Sequence, residues 1–368
     1  MTSIVFAPDS FKGSISAADA ATALADGWLS VRGDAAVLRP MADGGEGTLD
    51  AFATAVPGSA RVPVEVTGPD GASVDASWLL LPPAPEAPHG TAVVELASTS
   101  GLELLGDRRI GLDAHTLGFG QAIVAALDRG VSRLVLGIGS SASTDGGTGL
   151  LTALGARFAD AAGRPIALGA RGLGSIDAAD LSALRPLPPG GAVVLTDVTN
   201  ALLGARGAAA VFGPQKGLDV DGVAAAEAGL ARLARFVPAD PSAAGAGAAG
   251  GTGLGLLAWG ARLVPGSAAV AELIGLREAV AAASLVVTGE GSFDGQSAAG
   301  KAPAHVAAVG AEAGVAVALV AGRISPDADT SGFAASVSLT ELAGSSSAAL
   351  ADPERWLRAA GERLARAL

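Results

Sequence analysis

The chain has 368 residues, 50% hydrophobic, 16% charged and 4% aromatic, enough apolar surface for two domains packed mainly by Ala, Val and Leu. Its net charge of −12 excludes a protein that coats DNA, RNA or anionic lipid, because each needs a contiguous basic surface. With no cysteine there is no disulfide framework, thiol nucleophile or cysteine-ligated metal, a composition compatible with the cytoplasmic location we expect.

The opening residues lack the basic start and apolar stretch of a signal peptide and run straight into a strand over 4–7. A helix over 17–29, a strand over 36–38 and a helix over 47–55 follow. From about 61 the pattern alternates, and the turn signal G-P-D-G sets up a hairpin. After a proline-rich loop over 82–90 come a strand over 91–96, a helix over 116–129 and a strand over 133–137. A helix starting near 147, a strand over 193–195 and a helix over 221–236 continue the alternation. The uncharged stretch 241–261 has membrane length, but seven of its 21 residues are glycine, so it reads as a loop followed by a buried helix. Strands over 285–287, 315–320 and 335–339 alternate with helices over 303–313 and 353–367 at the end.

The first two and last three of these strands make five, interleaved with helices. The predicted fold is therefore α/β, with a doubly wound, flavodoxin-like parallel sheet built from both chain ends (1–57 and 281–368). A mixed α/β domain is inserted at 58–280.

Lysine is scarce: of 24 basic residues only Lys12, Lys216 and Lys301 are lysine, each beside a glycine or within a glycine-flanked loop motif. A compact ammonium on a flexible stem suits an anion met from a loop. Five acids sit at strand ends or beside glycines, namely Asp9, Asp43, Asp145, Asp197 and Glu290. Carboxylates at the carboxyl ends of strands point into the crevice where open α/β sheets take ligands.

Two glycine motifs invite other readings. Gly295-x4-Gly300-Lys301 lacks the P-loop hydroxyl, because Ala302 stands where serine or threonine binds magnesium, and it lies far from a strand ending near 287. Gly137-x-Gly139-x-x-Ala142, with Asp160 downstream, resembles a dinucleotide fingerprint. The helix it requires would have to start among Gly146, Gly147 and Gly149, each costing about 1 kcal/mol in a helix interior. His89, His115 and His305 show no metal-ligand spacing.

In order along the chain, A-P-D-S-F-K-G-S (7–14), P-M-A-D-G-G-E-G-T (40–48), G-I-G-S-S-A-S-T-D-G-G (137–147), G-A-A-A-V-F-G-P-Q-K-G (207–217), G-A-G-A-A-G-G-T-G (245–253) and V-T-G-E-G-S-F-D-G-Q-S (287–297) closely resemble the bacterial glycerate kinase family. Two departures stand out: Asp-Val-Thr-Asn-Ala at 197–201, where the family usually has Asp-Val-Asp-Asn-Pro, and Ser140 in place of a frequent glycine. The resemblance implies ATP-dependent phosphorylation of D-glycerate, with 2-phosphoglycerate favoured over 3-phosphoglycerate, and two α/β domains with the active site in the cleft between them.

On that resemblance, Asp197 is the candidate base, and Lys12 and Lys301 neutralise phosphates. Ser10, Gly44, Gly45, Gly139, Ser140, Ser141 and Gly289 are candidate nucleotide or phosphate ligands, since successive backbone amides make anion sites. Lys216, Arg323 and Asp294 are candidates for the glycerate. Asp43, Glu290 and Asp145 are candidates for Mg2+, which is content with a few carboxylates and keeps its waters. The implied partners are ATP and D-glycerate, without nucleic acid or membrane, and a homodimer is left open. The rival readings are a nicotinamide-dependent oxidoreductase of a small hydroxy acid and a non-catalytic sugar-acid sensor.

Overall fold

The computed structural model describes residues 2–294 and 302–368. It resolves into two units: Met1–Asp43, Asp50–Pro57 and Ser267–Leu368 form the first, and Gly44–Leu49 with Gly58–Gly266 form the second. Relative to the boundaries expected from the sequence, the helices Gly266–Leu273 and Leu276–Ala281 group almost wholly with the first unit. The short segment Gly44–Leu49 groups with the second.

The first unit holds a five-stranded parallel sheet of Ser3–Pro8, Ala35–Leu38, Leu285–Phe293, Ala316–Ile324 and Ala335–Ser338. Numbered along the chain, their order across the sheet is 2-1-3-4-5, the flavodoxin-like order expected from the sequence. Both faces are covered by helices, so the central strands read as unbroken apolar runs, and Val5, Phe6, Val286 and Val287 have no exposed surface. The helix Ala17–Leu29 starts on the side chain of Ser16, which accepts the Asp19 amide, and buries Ala20, Leu24 and Trp28. The helix Pro353–Ala367 opens with proline after the Asp352 cap and contributes Leu357, Ala360 and Leu364 to the same core.

The strand Leu285–Phe293 extends six residues beyond the expected end at 287. Its segment Gly289–Ser292 has poor strand propensity, but Glu290 pairs with Ala321 and Ser292 with Arg323 on the neighbouring strand. Tertiary pairing overrides local preference here.

The second unit contains a six-stranded mixed sheet, in the order Arg262–Val264, Ala192–Leu195, Arg133–Gly137, Thr91–Glu95, Ser73–Leu81 and Ala60–Thr67. The first four are parallel; the last two form the expected hairpin, antiparallel with Val66 opposite Val74. Its core runs from Val66 and Trp78 to Trp259. The glycine-rich stretch is a loop leading into the helix Ala248–Trp259, whose first residues Ala249, Gly250 and Gly251 are left-handed (φ 52°, 65° and 87°). Among the described residues no helix is long and apolar enough to cross a membrane.

Candidate active site

In the first unit, two loops meet the extended strand Leu285–Phe293 at the carboxyl ends of the parallel strands. Ser3–Pro8 leads directly into Asp9, whose amide donates to the Gly289 carbonyl at 2.8 Å. The Met41 amide donates to the Pro8 carbonyl, also at 2.8 Å, and so draws the segment carrying Asp43 to the same strand end. Because Pro8 is in register with Gly289, Glu290 emerges at that level on the next strand. Residues distant in sequence are thus gathered by sheet register.

The electrostatics show how close they are. The Asp9 carboxyl is pushed up from 3.8 to about 7, first by burial, then by the charge of Asp43, with Glu290 adding to it. The Ser10 amide, which donates to Asp9 Oδ1 at 2.7 Å, and the Lys12 ammonium pull the other way without offsetting it. Lys12 is exposed, on a tight turn closed by the Phe11–Ile15 bridge, and Glu290 is buried. Asp294 follows the strand end, and Arg323 is exposed on the adjacent strand opposite Ser292.

Gly289 was expected among the phosphate ligands. It lies in the sheet, where a side chain would collide with the Val320 carbonyl, and its own carbonyl serves to place Asp9. Lys301 and the segment 295–300 lie outside the described residues. Since the strand reaches Phe293, the spacing objection to a P-loop does not hold; the missing hydroxyl at Ala302 still does.

In the second unit, the dipeptide Gly44–Gly45 lies across two strand ends. A Cβ on Gly44 would overlap the Leu195 carbonyl, and one on Gly139 would come 2.5 Å from the Gly45 Cα. The Gly139 amide donates to the Gly44 carbonyl at 2.9 Å. Ser140 is exposed with φ +57°, a left-handed conformation that explains why glycine suits this position. Asp197 is exposed just past the strand Ala192–Leu195, and its Oδ1 accepts the Gly266 amide at 2.8 Å.

Residues 141–149 are entirely buried, and three of the candidates, Asp145, Lys216 and Ser141, make internal contacts there. Asp145, a candidate for metal, is 0% exposed and serves as an internal acceptor. It takes the Thr116 amide and hydroxyl at 2.9 and 2.8 Å, and the Gly147 and Gly149 amides at 3.1 and 3.2 Å. Lys216, a candidate for the glycerate carboxylate, is 2% exposed and donates to the Ser143 carbonyl. Burial pushes its ammonium down to about 7, against the opposing pull of Asp145. Ser141 is likewise buried, its hydroxyl shared with Ser143 at 3.2 Å. The dinucleotide reading fails locally: the helix after Gly139 begins only at Thr148, and Asp160 is paired with Arg164.

Sequence reading noted Asp9 as a strand-end acid but gave it no role; its crowding against positions 43 and 290 is visible only in three dimensions. Among the described residues no group of three or more His, Asp or Glu is spaced to hold a metal ion. One or two carboxylates still match magnesium that arrives with a polyphosphate, since that ion keeps most of its waters.

Acids and a lysine at the carboxyl end of a parallel sheet place the first unit among α/β folds that take ligands at their strand ends. Residues 4–368 match the model of the glycerate kinase family. A glycerate kinase of Halalkalibacterium halodurans is 40% identical over 88% of this chain and 86% of its own length. The glycerate 2-kinase of Escherichia coli K12 is 39% identical over 88% and 86%. A crystal structure from Salmonella typhimurium LT2, provisionally assigned as glycerate kinase 2, superposes with a TM-score of 0.85 at 38% identity, covering 100% of this chain and 98% of that one. The chain belongs to the glycerate kinase family, and it is a kinase.

Proposed function

We propose that the protein transfers the terminal phosphoryl group of ATP to the 2-hydroxyl of D-glycerate, giving 2-phosphoglycerate and ADP. The observation that carries the reading is the buried Asp9 carboxyl crowded by the charges of Asp43 and Glu290 at one strand end, an acidic setting suited to a cation such as the magnesium that accompanies ATP. The choice of position 2 rests on the likeness to a relative named glycerate 2-kinase.

In this reading Asp43 and Glu290 hold the magnesium, directly or through water, and Lys12 neutralises phosphate oxygens. Magnesium, when bound, offsets charge on the transferring phosphate. The amides of Gly44, Gly45 and Ser140 receive oxygens, with the Gly139 amide engaged on the Gly44 carbonyl beside them, and Arg323 takes the glycerate carboxylate. Asp197 accepts the proton as the substrate oxygen bonds to phosphorus and the bond to ADP breaks. The short spacing between Asp197 and the rigid strand end means that little loop ordering is needed to aim it.

A coupled assay with D-glycerate and ATP, followed by phosphorus NMR of the product, tests reaction and regiochemistry together. The expected product carries its phosphate on carbon 2; a 3-phosphate, or no ADP release, overturns the corresponding half of the reading. Asp197→Asn is expected to lower kcat by about 100-fold or more while the unfolding midpoint stays close to wild type. Near-normal turnover in that variant removes Asp197 from the chemistry.

A further inference from the structure

We propose that Lys216 is a positioning residue: from inside the second unit it pins the Ser143 carbonyl, and through it the backbone that presents Gly139 and Ser140. The proposal rests on the kinase reading for its kinetic consequences, but not for its structural ones.

Lys216 ends the one-turn helix Pro214–Lys216, and Gly217 follows in a left-handed conformation, φ +89°. The turn is tied down from outside, because the Gly111 amide donates to the Lys216 carbonyl at 3.0 Å. The side chain passes inward and ends on the carbonyl of Ser143. Gly250 packs against that same carbonyl, leaving no room for even a methyl group, and the Gly250 carbonyl accepts the Gly146 amide at 3.0 Å. Ser143 is thus held between Lys216 and the left-handed segment 249–251.

The hold propagates toward Ser140 through short links. The Ser143 amide donates to the Ser141 hydroxyl at 3.2 Å, and the Ala142 amide to the Ser100 carbonyl at 3.1 Å. The Ser140 carbonyl in turn accepts the Leu102 amide at 2.9 Å. The four donors named above on Thr116, Gly147 and Gly149 occupy the Asp145 carboxylate, which therefore lends Lys216 its field while the Ser143 carbonyl supplies the direct hydrogen bond.

Stability does not account for this lysine. A buried ammonium pays a large desolvation cost, and replacing buried charge by an apolar residue of like volume is often neutral or stabilising. In a chain where all but three of 24 basic residues are arginine, a lysine kept at 2% exposure is therefore kept for what it holds in place.

The test is Lys216→Met, with Lys216→Gln as a variant that keeps an N–H donor for the Ser143 carbonyl. We expect Lys216→Met to fold with an undiminished unfolding midpoint and to lose about tenfold or more in kcat, with KM for glycerate and ATP within about threefold of wild type. Amide hydrogen exchange over 139–149 should accelerate in Lys216→Met and return toward wild type in Lys216→Gln, along with kcat. A rise in glycerate KM at unchanged kcat would make Lys216 a direct substrate ligand and overturn the proposal, as would wild-type kinetics with unchanged exchange. If Lys216→Met does not accumulate in soluble form, Lys216→Gln against wild type carries the decision: full protection of 139–149 with glycerate KM raised would again overturn it, and retained KM with intermediate kcat and exchange would support it. A wild-type protein inactive on glycerate would sink the functional reading alone, since the exchange comparison stands without turnover.

Discussion

Asp9→Asn is expected to be more stable than the wild type at pH 8 and far less active. The native carboxyl titrates near 7 against a reference of 3.8, so between those values the folded chain binds the proton more tightly than the unfolded one. Stability from this group is greatest in acid, falls as pH rises from about 4 to about 7, and stays low above that. Three units correspond to about 4 kcal/mol at full burial, and partial solvent access reduces the expectation to about 2 kcal/mol. Asparagine carries no charge and keeps an acceptor for the Ser10 amide, so it escapes the penalty. Urea unfolding of metal-free protein at pH 8 and pH 4 checks this: the advantage of Asp9→Asn should be about 2 kcal/mol at the first pH and near zero at the second. Turnover with magnesium and ATP should drop by about 100-fold, since in the proposed reading the negative charge at this strand end is what the cation accompanying the phosphate meets. A variant destabilised at pH 8 would show that Asp9 is a structural acceptor and not a strained functional acid.

Gly44→Ala is expected to cost about 3 kcal/mol, combining a left-handed backbone with overpacking against main chain that cannot yield. Its φ is +95°, and a Cβ there overlaps the Leu195 carbonyl and comes 2.6 Å from the Leu195 Cβ. Relief requires moving the Gly44 carbonyl off the Gly139 amide, which dislodges the loop expected to receive phosphate. Gly47→Ala is the control: its φ is +82° but a Cβ there meets open space, so it should cost only about 1 kcal/mol. Thermal or urea midpoints for the two variants separate conformational strain from collision. Equal losses would mean that the close approach of Gly44 to Leu195 contributes nothing.

Much of the architecture was readable in advance. The strands near 4, 36, 286, 317 and 336 announced themselves as short apolar runs between helical patterns, and they assemble into a parallel sheet of order 2-1-3-4-5. The hairpin was legible because period-two alternation flanks a glycine-rich turn. The short strands Arg157–Ala159, Ala178–Asp180 and Arg262–Val264 were not, because three residues carry too little periodicity to register. The extension through Glu290 escaped for a different reason: its strand character comes from pairing with the strand Ala316–Ile324 and not from its own residues.

The acids were recognised as a set, but Asp145 and Glu290 look alike on the page, each an acid beside glycine. One is consumed by four internal donors, and the other reaches the sheet end beside Asp9. The same division applies to the lysines: Lys12 lies exposed on a turn, whereas Lys216 is enclosed.

Local pattern and ordered motifs therefore determined the element types, the α/β class and the family, because periodicity and turn chemistry are properties of neighbours along the chain. Only the tertiary structure decided that Asp9 holds its proton to about 7 and that Lys216 faces inward to Ser143. Desolvation and Coulomb interaction depend on distance through space, and the groups concerned, at 9, 43 and 290 or at 143, 216 and 250, are brought together only when the sheets and their loops have formed.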